Sequence, residues 1–310
     1  MPAAKSARRD TTQLQSLGTE RANDAAHDLD CRSSLEIVRI INTEDKKAAM
    51  AVESALPQIA QAIDIAVAAL RREGRLIYVG AGTSGRIAAL DASECKPTFD
   101  SDRVQFVIAG GSKALGEESE ISEDDTMLGR EEIRRRHVSK RDVVIGIASS
   151  GRTPFTVSAL KAARQRGAHT IALTCNHASP LERAAHLAIV TPVGPEVLAG
   201  SSRMKAATAH KMVLNMISTA AMSRLGYVYG NLMVNVVPKN EKLRQRAISI
   251  LEQAAGVDSK SAADALKAAG DRTPVALVML AGGVSRKQAV DALKKTSGHV
   301  RKAIAMASRK

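Results

Sequence analysis

The chain has 310 residues, 45% hydrophobic and 25% charged, a balance that supports a folded core and excludes a disordered polymer. Its longest apolar runs, such as Leu76 to Val79 and Val275 to Ala281, fall far short of the ~20 residues of a membrane-spanning helix, and the opening MPAAKSARRDTTQLQ lacks the apolar stretch of a secretory signal, so a cytoplasmic protein is expected. The net charge, 45 − 32 = +13, suits an anionic partner, but with no Trp, three Tyr and three Phe the chain lacks stacking platforms for single strands.

After a polar start, the apolar spacing from Ser34 to Arg72 predicts two helical stretches broken at INTEDKK, and Gly74 ends the pattern. Five β-branched runs follow, each closing on small or polar residues: RLIYVGAG (Arg75 to Gly82), VQFVIAGG (Val104 to Gly111), DVVIGIASS (Asp142 to Ser150), HTIALTC (His169 to Cys175) and LAIVTPVG (Leu187 to Gly194). Continuous Val/Ile runs are strands buried on both faces, and their alternation with helices predicts a doubly wound parallel α/β sheet. Ser201 to Leu225 is predicted as one long helix, apolar on more than one face and suited to a subunit interface. Beyond Pro238 the pattern is all-helical: Glu241 to Ala255, Ser259 to Ala269, Pro274 to Ala281, Ser285 to Lys294 and a last stretch from His299. Asp258 to Lys260 and Thr273 with Pro274 mark starts, and Gly256, Gly270 and Gly282 mark stops. The expected domains are therefore an N-terminal segment with helices (1–64), a sheet domain (65–226) and a linker with a small helical domain (227–310). The basic clusters, Lys5, Arg8 and Arg9, Arg134 to Arg136, and Arg286 to Lys310, are expected to be solvated faces.

Ligands of open α/β sheets bind beyond the carboxyl ends of the strands, and two of those ends carry hydroxyls and glycines. The first strand runs into GAGTSGR (Gly80 to Arg86), with a helix expected to start at Thr83 or Ser84. The third runs into SSGRT (Ser149 to Thr153), with Pro154 in the first helical turn. Together they read as a phosphate cradle, with Gly82, Thr83, Ser84, Ser149, Ser150 and Thr153 as the candidate contacts. A dinucleotide site is the poorer reading of GAGTSG, since the second strand ends in Ala109, Gly110 and Gly111 rather than an acidic residue, and no Lys-Ser or Lys-Thr follows to make a P-loop.

Two acidic positions also stand out. Glu94 in DASEC is expected just beyond the first of these helices, close to the strand ends. Glu123 lies in the acidic run Glu117 to Asp125, for which a solvated turn is the simpler reading. Cys31, Cys95 and Cys175 suit neither a disulfide framework nor a zinc site, and His169, His177, His186 and His210 lack metal-ligand spacing, so no metal is expected. His210 reads as a packing residue, whereas Arg203 and Lys205 are placed to reach an anion.

The phosphate loops on this strand order resemble a sugar isomerase (SIS) domain. More narrowly, TERAND, INTEDK, YVGAGTSGRIAALDASEC, GPEVLAGSSRMKAATAHKMVLNMISTAAM and RLGYVYGNLMVNV resemble, in order and across nearly the whole chain, the N-acetylmuramic acid 6-phosphate etherase family. The resemblance implies cleavage of the D-lactyl ether at carbon 3 of a phosphosugar, a homodimer, no metal or organic cofactor, and a role in recycling cell-wall sugars. It matches Glu94 to the family's proton donor and Glu123 to its second catalytic acid, and adds Ser201, Ser202 and Lys205 to the substrate-binding set. Ala22 and Asp24 depart from the usual TE-x-RNP, Ser202 and Met204 from GSTRLKA, and Lys96 from a usual Pro; none removes a catalytic group. The rival readings are an aldose-ketose phosphosugar isomerase and a non-catalytic phosphosugar-sensing regulator. Neither nucleic acid nor membrane is expected as a partner.

Overall fold

The computed structural model describes residues 17–117 and 120–308; the predicted basic positions Lys5, Arg8, Arg9, Arg309 and Lys310 lie outside them. Two compact units emerge. The first gathers the described residues up to Ala92 with Arg103–Ile217, and the second joins Ser93–Asp102 to the chain from Ser218 onward.

In the first unit, three short 3-10 turns within Gly18–Cys31 lead into helices α1 (Ser34–Glu53) and α2 (Leu56–Arg71). A capping box starts α1, the Ser33 side chain and Glu36 each satisfying the other's backbone N–H. The predicted break at INTEDKK is not there. α1 runs straight through it and ends at Ser54, with Pro57 in the first turn of α2; INTEDKK is polar, but it contains no residue that stops a helix, and proline at a first turn does mark a start.

The strands are β1 (Leu76–Gly80), β2 (Val104–Ile108), β3 (Val143–Ile147), β4 (His169–Thr174) and β5 (Leu187–Val190). They form one parallel sheet in the order β2-β1-β3-β4-β5, the doubly wound arrangement expected, whose topological switch lies between β1 and β3. The intervening helices are α3 (Gly82–Phe99), α4 (Glu120–Glu123), α5 (Thr126–Arg135), α6 (Pro154–Gln165) and α7 (Pro180–Ala184), followed by α8 (Lys205–Leu225). Alternation along β1 sorts the two faces. Ile77 and Val79 join Val144 and Ala172 against Phe155, Leu160 and Leu181, while on the opposite face Tyr78 donates its hydroxyl to Asp91 of α3 at 2.9 Å.

α8 starts at Lys205 rather than Ser201. It buries Ala206, His210, Val213, Leu214 and Ile217 and leaves Thr208, Lys211, Asn215 and Thr219 exposed at helical spacing, so its apolar character is consumed within the chain. His210 is fully buried, and burial pushes it down to about 4; its Nε2 lies 3.4 Å from Cys175 Sγ, whose thiol burial pushes up to about 12. Such a neutral pair is packing, not a nucleophile.

The second unit holds α9 (Glu241–Ala255), α10 (Ser259–Ala268), α11 (Thr273–Gly282), α12 (Arg286–Lys295) and α13 (Val300–Ala307). Leu251, Leu266, Val275, Leu277, Leu293 and Val300 share its core. Asp258 caps α10 through the Ser261 N–H, and Gly256 ends α9 in the left-handed region at φ 67°, as read from the sequence. The stop after α11 falls one residue later than expected, at Gly283.

Candidate active site

Register fixes where the ligand loops meet. Gly80 pairs with Ile147, so the loops leaving β1 and β3 lie side by side at the switch point. Helix α3 begins at Gly82 rather than at Thr83 or Ser84, which puts Gly82, Thr83 and Ser84 in its first turn, where backbone N–H groups have no partner in the helix. Thr83 and Ser84 are half-buried. On the second loop Ser149 is buried and Ser150 and Thr153 half-buried. Ser150 Oγ accepts from the Arg152 N–H at 3.2 Å, and Thr153 opens α6 without using its hydroxyl as a cap. Two helix N-termini with hydroxyls therefore converge on one place, which suits an anion such as a phosphate monoester.

Arg86 does not belong to that cradle. Its guanidinium donates to the carbonyls of Ala114 and Glu117, fastening the segment that follows β2 to the start of α3. That segment leads through α4 to Glu123. A Cβ placed on Gly82, whose φ is +50°, would stand 2.6 Å from Glu123 Oε1, so the Glu123 carboxylate rests directly against the loop that leaves β1. The acidic run thus delivers one carboxylate to the site.

Glu94 is placed differently from its expected position. DASEC is not beyond the helix but inside α3, which continues through Pro97 to Phe99. Glu94 lies twelve residues after Gly82 (94 − 82), about three turns along the helix, and its side chain is exposed. By compactness it belongs to the second unit.

Ser201 and Ser202 are half-buried in a loop before α8, closed by Ser201 N–H to Leu198 O and Ser202 N–H to Gly200 O. Lys205 is fully buried, and its Nζ lies 2.5 Å from Glu44 Oε2. Lys47 reaches the other oxygen of Glu44 at 2.6 Å. Burial pushes the Glu44 carboxyl up, but hydrogen bonds from Lys205, Lys47 and Asn23 outweigh it and hold the group at about 2. Next to it Glu196, fully buried, accepts from the Lys205 and Ala206 N–H groups at the start of α8; burial raises it above the usual carboxylate range. Asn23, Glu44, Lys47 and Lys205 line an open pocket of about 460 Å³.

Lys205→Met should therefore act on stability. Leaving Glu44 buried with only the exposed Lys47 and the neutral Asn23 amide as partners should cost about 3 kcal/mol, the low end for breaking a buried pair, and lower the melting temperature by roughly 10 °C. Because Glu44 titrates lower folded than unfolded, its contribution is complete above about pH 5 and fades as pH falls toward 2. The wild type and Lys205→Met should accordingly converge in acid thermal melts; equal melting temperatures at pH 7 would contradict this role.

Sequence reading missed the polar residues that tie these loops together. Asn176, directly after β4, donates from Nδ2 to Ser149 O at 2.9 Å and to Thr19 Oγ1 at 3.3 Å, and Ser149 O also accepts from the Cys175 N–H. No local sequence pattern signals these contacts, because Thr19 and Asn176 are 157 positions apart.

A parallel sheet ordered 2-1-3-4-5, with hydroxyl-rich helix starts at the switch point, is a doubly wound α/β sheet suited to an anionic ligand, and the family comparison gives it the class of a SIS-domain protein. The SIS domain profile matches residues 129–220, and that of the glucokinase regulatory protein N-terminal SIS domain matches residues 58–164. The fold is also that of a phosphoheptose isomerase structure from Francisella tularensis, with a TM-score of 0.51 at 19% identity, covering 62% of this chain and 100% of that one. The chain is 46% identical to N-acetylmuramic acid 6-phosphate etherase 1 of Bacillus licheniformis, over 96% of this chain and 98% of that protein. It is 53% identical to N-acetylmuramic acid 6-phosphate etherase of Symbiobacterium thermophilum, over 86% and 90% respectively. The chain belongs to the N-acetylmuramic acid 6-phosphate etherase family.

Proposed function

We propose that the protein is a carbon–oxygen lyase that cleaves the D-lactyl ether of N-acetylmuramic acid 6-phosphate with water, giving N-acetylglucosamine 6-phosphate and D-lactate. The observation that carries this is the kinship to proteins of that name along 96% of the chain; the Glu123 carboxylate against Gly82 of the anion cradle supports it chemically. An ether leaves poorly unless the neighbouring carbon can carry negative charge. Ring opening supplies an aldehyde at carbon 1, which acidifies the proton at carbon 2. Loss of that proton expels lactate from carbon 3, and water then adds to the unsaturated aldehyde. One carboxylate must accept the carbon 2 proton and one carboxylic acid must protonate the departing ether oxygen, each worth about 10² to 10⁴ in rate. Glu123 is assigned as the base and Glu94, by its place in DASEC, as the acid.

Thr83, Ser84, Ser149, Ser150 and Thr153 are assigned to the phosphate, with Gly82 N–H and the Ser201 and Ser202 loop completing the substrate contacts. The phosphate binds away from carbon 3, so its contribution is positioning. Replacing Ser84 and Ser150 together by Ala should lower kcat/KM by a few kcal/mol, because hydrogen bonds to a charged group are worth about 1.5 to 3 kcal/mol each. Purified protein incubated with N-acetylmuramic acid 6-phosphate should release D-lactate, and the sugar without its phosphate should be a far poorer substrate. Absence of lactate would reject the activity, and equal turnover of both sugars would reject the phosphate cradle.

A homodimer is the proposed working form. Leu35, Val38 and Met50 are 55 to 66% exposed on one broad face of α1, but Arg39, Asn42, Lys46 and Glu53 are exposed on the same face, so this reading rests on the family kinship and not on an apolar patch. The sheet domain, 65–226, is proposed as the functional division that carries the phosphate cradle, although its limit at 64/65 falls within α2 (Leu56–Arg71).

A further inference from the structure

The segment Gly18–Asn23 takes no part in the chemistry above, yet it is fastened at both ends. At one end the Gly18 N–H donates to Asn176 Oδ1 at 3.0 Å and the Asn176 amide bridges Thr19 Oγ1 to Ser149 O. Asn176 and Thr19 are both buried. At the other end Asn23 Nδ2 donates to Pro195 O at 3.1 Å and its side chain also bonds Glu44. Between these anchors stands Glu20, half-buried. Its Oε1 accepts from the Thr19 hydroxyl at 3.3 Å, and its Oε2 lies 3.4 Å from where a Cβ on Gly200 would sit. One side chain is thus braced between the loop that carries Ser149 and the loop that carries Ser201 and Ser202.

We propose that Glu20 is a substrate-binding residue that accepts a hydrogen bond from a donor on the sugar, a hydroxyl or the acetamido N–H; this rests on the phosphosugar reading of the two loops. The charge decides which part of the substrate it meets. A carboxylate repels the phosphate and the lactyl carboxylate, so its complement is the uncharged, donor-bearing part between them, where a charge-assisted hydrogen bond is strong and directional. The anchoring explains the investment in buried polar contacts: a carboxylate selects geometry only if its backbone is held still, and Asn176 is the positioning residue that holds it.

Direct calorimetric titration of the full chain tests this with two probes, N-acetylglucosamine 6-phosphate and inorganic phosphate. Glu20→Ala should weaken the sugar phosphate about tenfold or more, while inorganic phosphate, which meets only the cradle, binds as in wild type. Glu20→Gln, which keeps shape and an acceptor, should fall between. If Glu20→Ala weakens both probes in parallel, the segment is only a brace for the loops and the proposal is overturned; unchanged binding of both overturns it as well. Because binding is read without turnover, a wild type that binds the sugar phosphate but releases no lactate would reject the etherase reading while leaving the test of Glu20 intact.

Discussion

Glu94→Gln should release no D-lactate yet still exchange the carbon 2 proton of N-acetylmuramic acid 6-phosphate with deuterated water. Glu123→Gln should lose both, each variant falling at least about 10²-fold in ether cleavage. The asymmetry follows from the two protons the elimination moves. With the acid neutralised, the base still removes the carbon 2 proton and returns a deuteron, but lactate cannot depart as an alkoxide. A substrate with a halide at carbon 3 needs no proton for departure, so it should regain turnover in Glu94→Gln and not in Glu123→Gln. Glutamine keeps the size of each side chain, and for Glu123 this matters, because its carboxylate is packed against the backbone of Gly82. Exchange lost in the Glu94 variant and kept in the Glu123 variant would reverse the roles. Normal cleavage by both would remove either from the chemistry.

Much of this was legible in the sequence for identifiable reasons. The five strands declare themselves because parallel strands are buried on both faces and read as unbroken Val/Ile runs, and the loops at Gly80–Arg86 and Ser149–Thr153 stand at strand ends where such folds bind ligands. What stayed hidden is nonlocal. INTEDKK looked like a break because Glu44 is polar, yet Glu44 is buried on Lys205, 161 positions away; the same partner takes up the ammonium that sequence reading had aimed at an anion. Thr19 meets Asn176 across 157 positions, a contact no local pattern encodes. Glu123 sat in a run indistinguishable from a solvated turn until the chain folded it onto Gly82. DASEC read as a helix end because of Pro97, but a proline in a last turn removes only one backbone bond, and α3 carries on to Phe99.

Gly82→Ala should lower kcat about 100-fold while leaving the protein folded. Two costs combine at this residue. Its φ of +50° is a left-handed conformation, which strains any residue with a Cβ by about 1 to 2 kcal/mol. The added methyl would also stand 2.6 Å from Glu123 Oε1, well inside contact distance, so the carboxylate must shift by roughly an ångström, a displacement worth about 10² in rate when it moves a reacting group. Gly256→Ala separates the two effects, since Gly256 ends α9 at φ +67° with open space where the Cβ would go. Both variants should melt a few degrees lower for the shared backbone strain, with only Gly82→Ala losing turnover. Gly82→Ala should also bind inorganic phosphate more weakly, because the strained residue opens the helix whose first N–H groups are assigned to the anion under the proposed function. Equal kcat in the two variants would mean that the Glu123 carboxylate tolerates displacement, and its assignment as the base at carbon 2 would fall with that result.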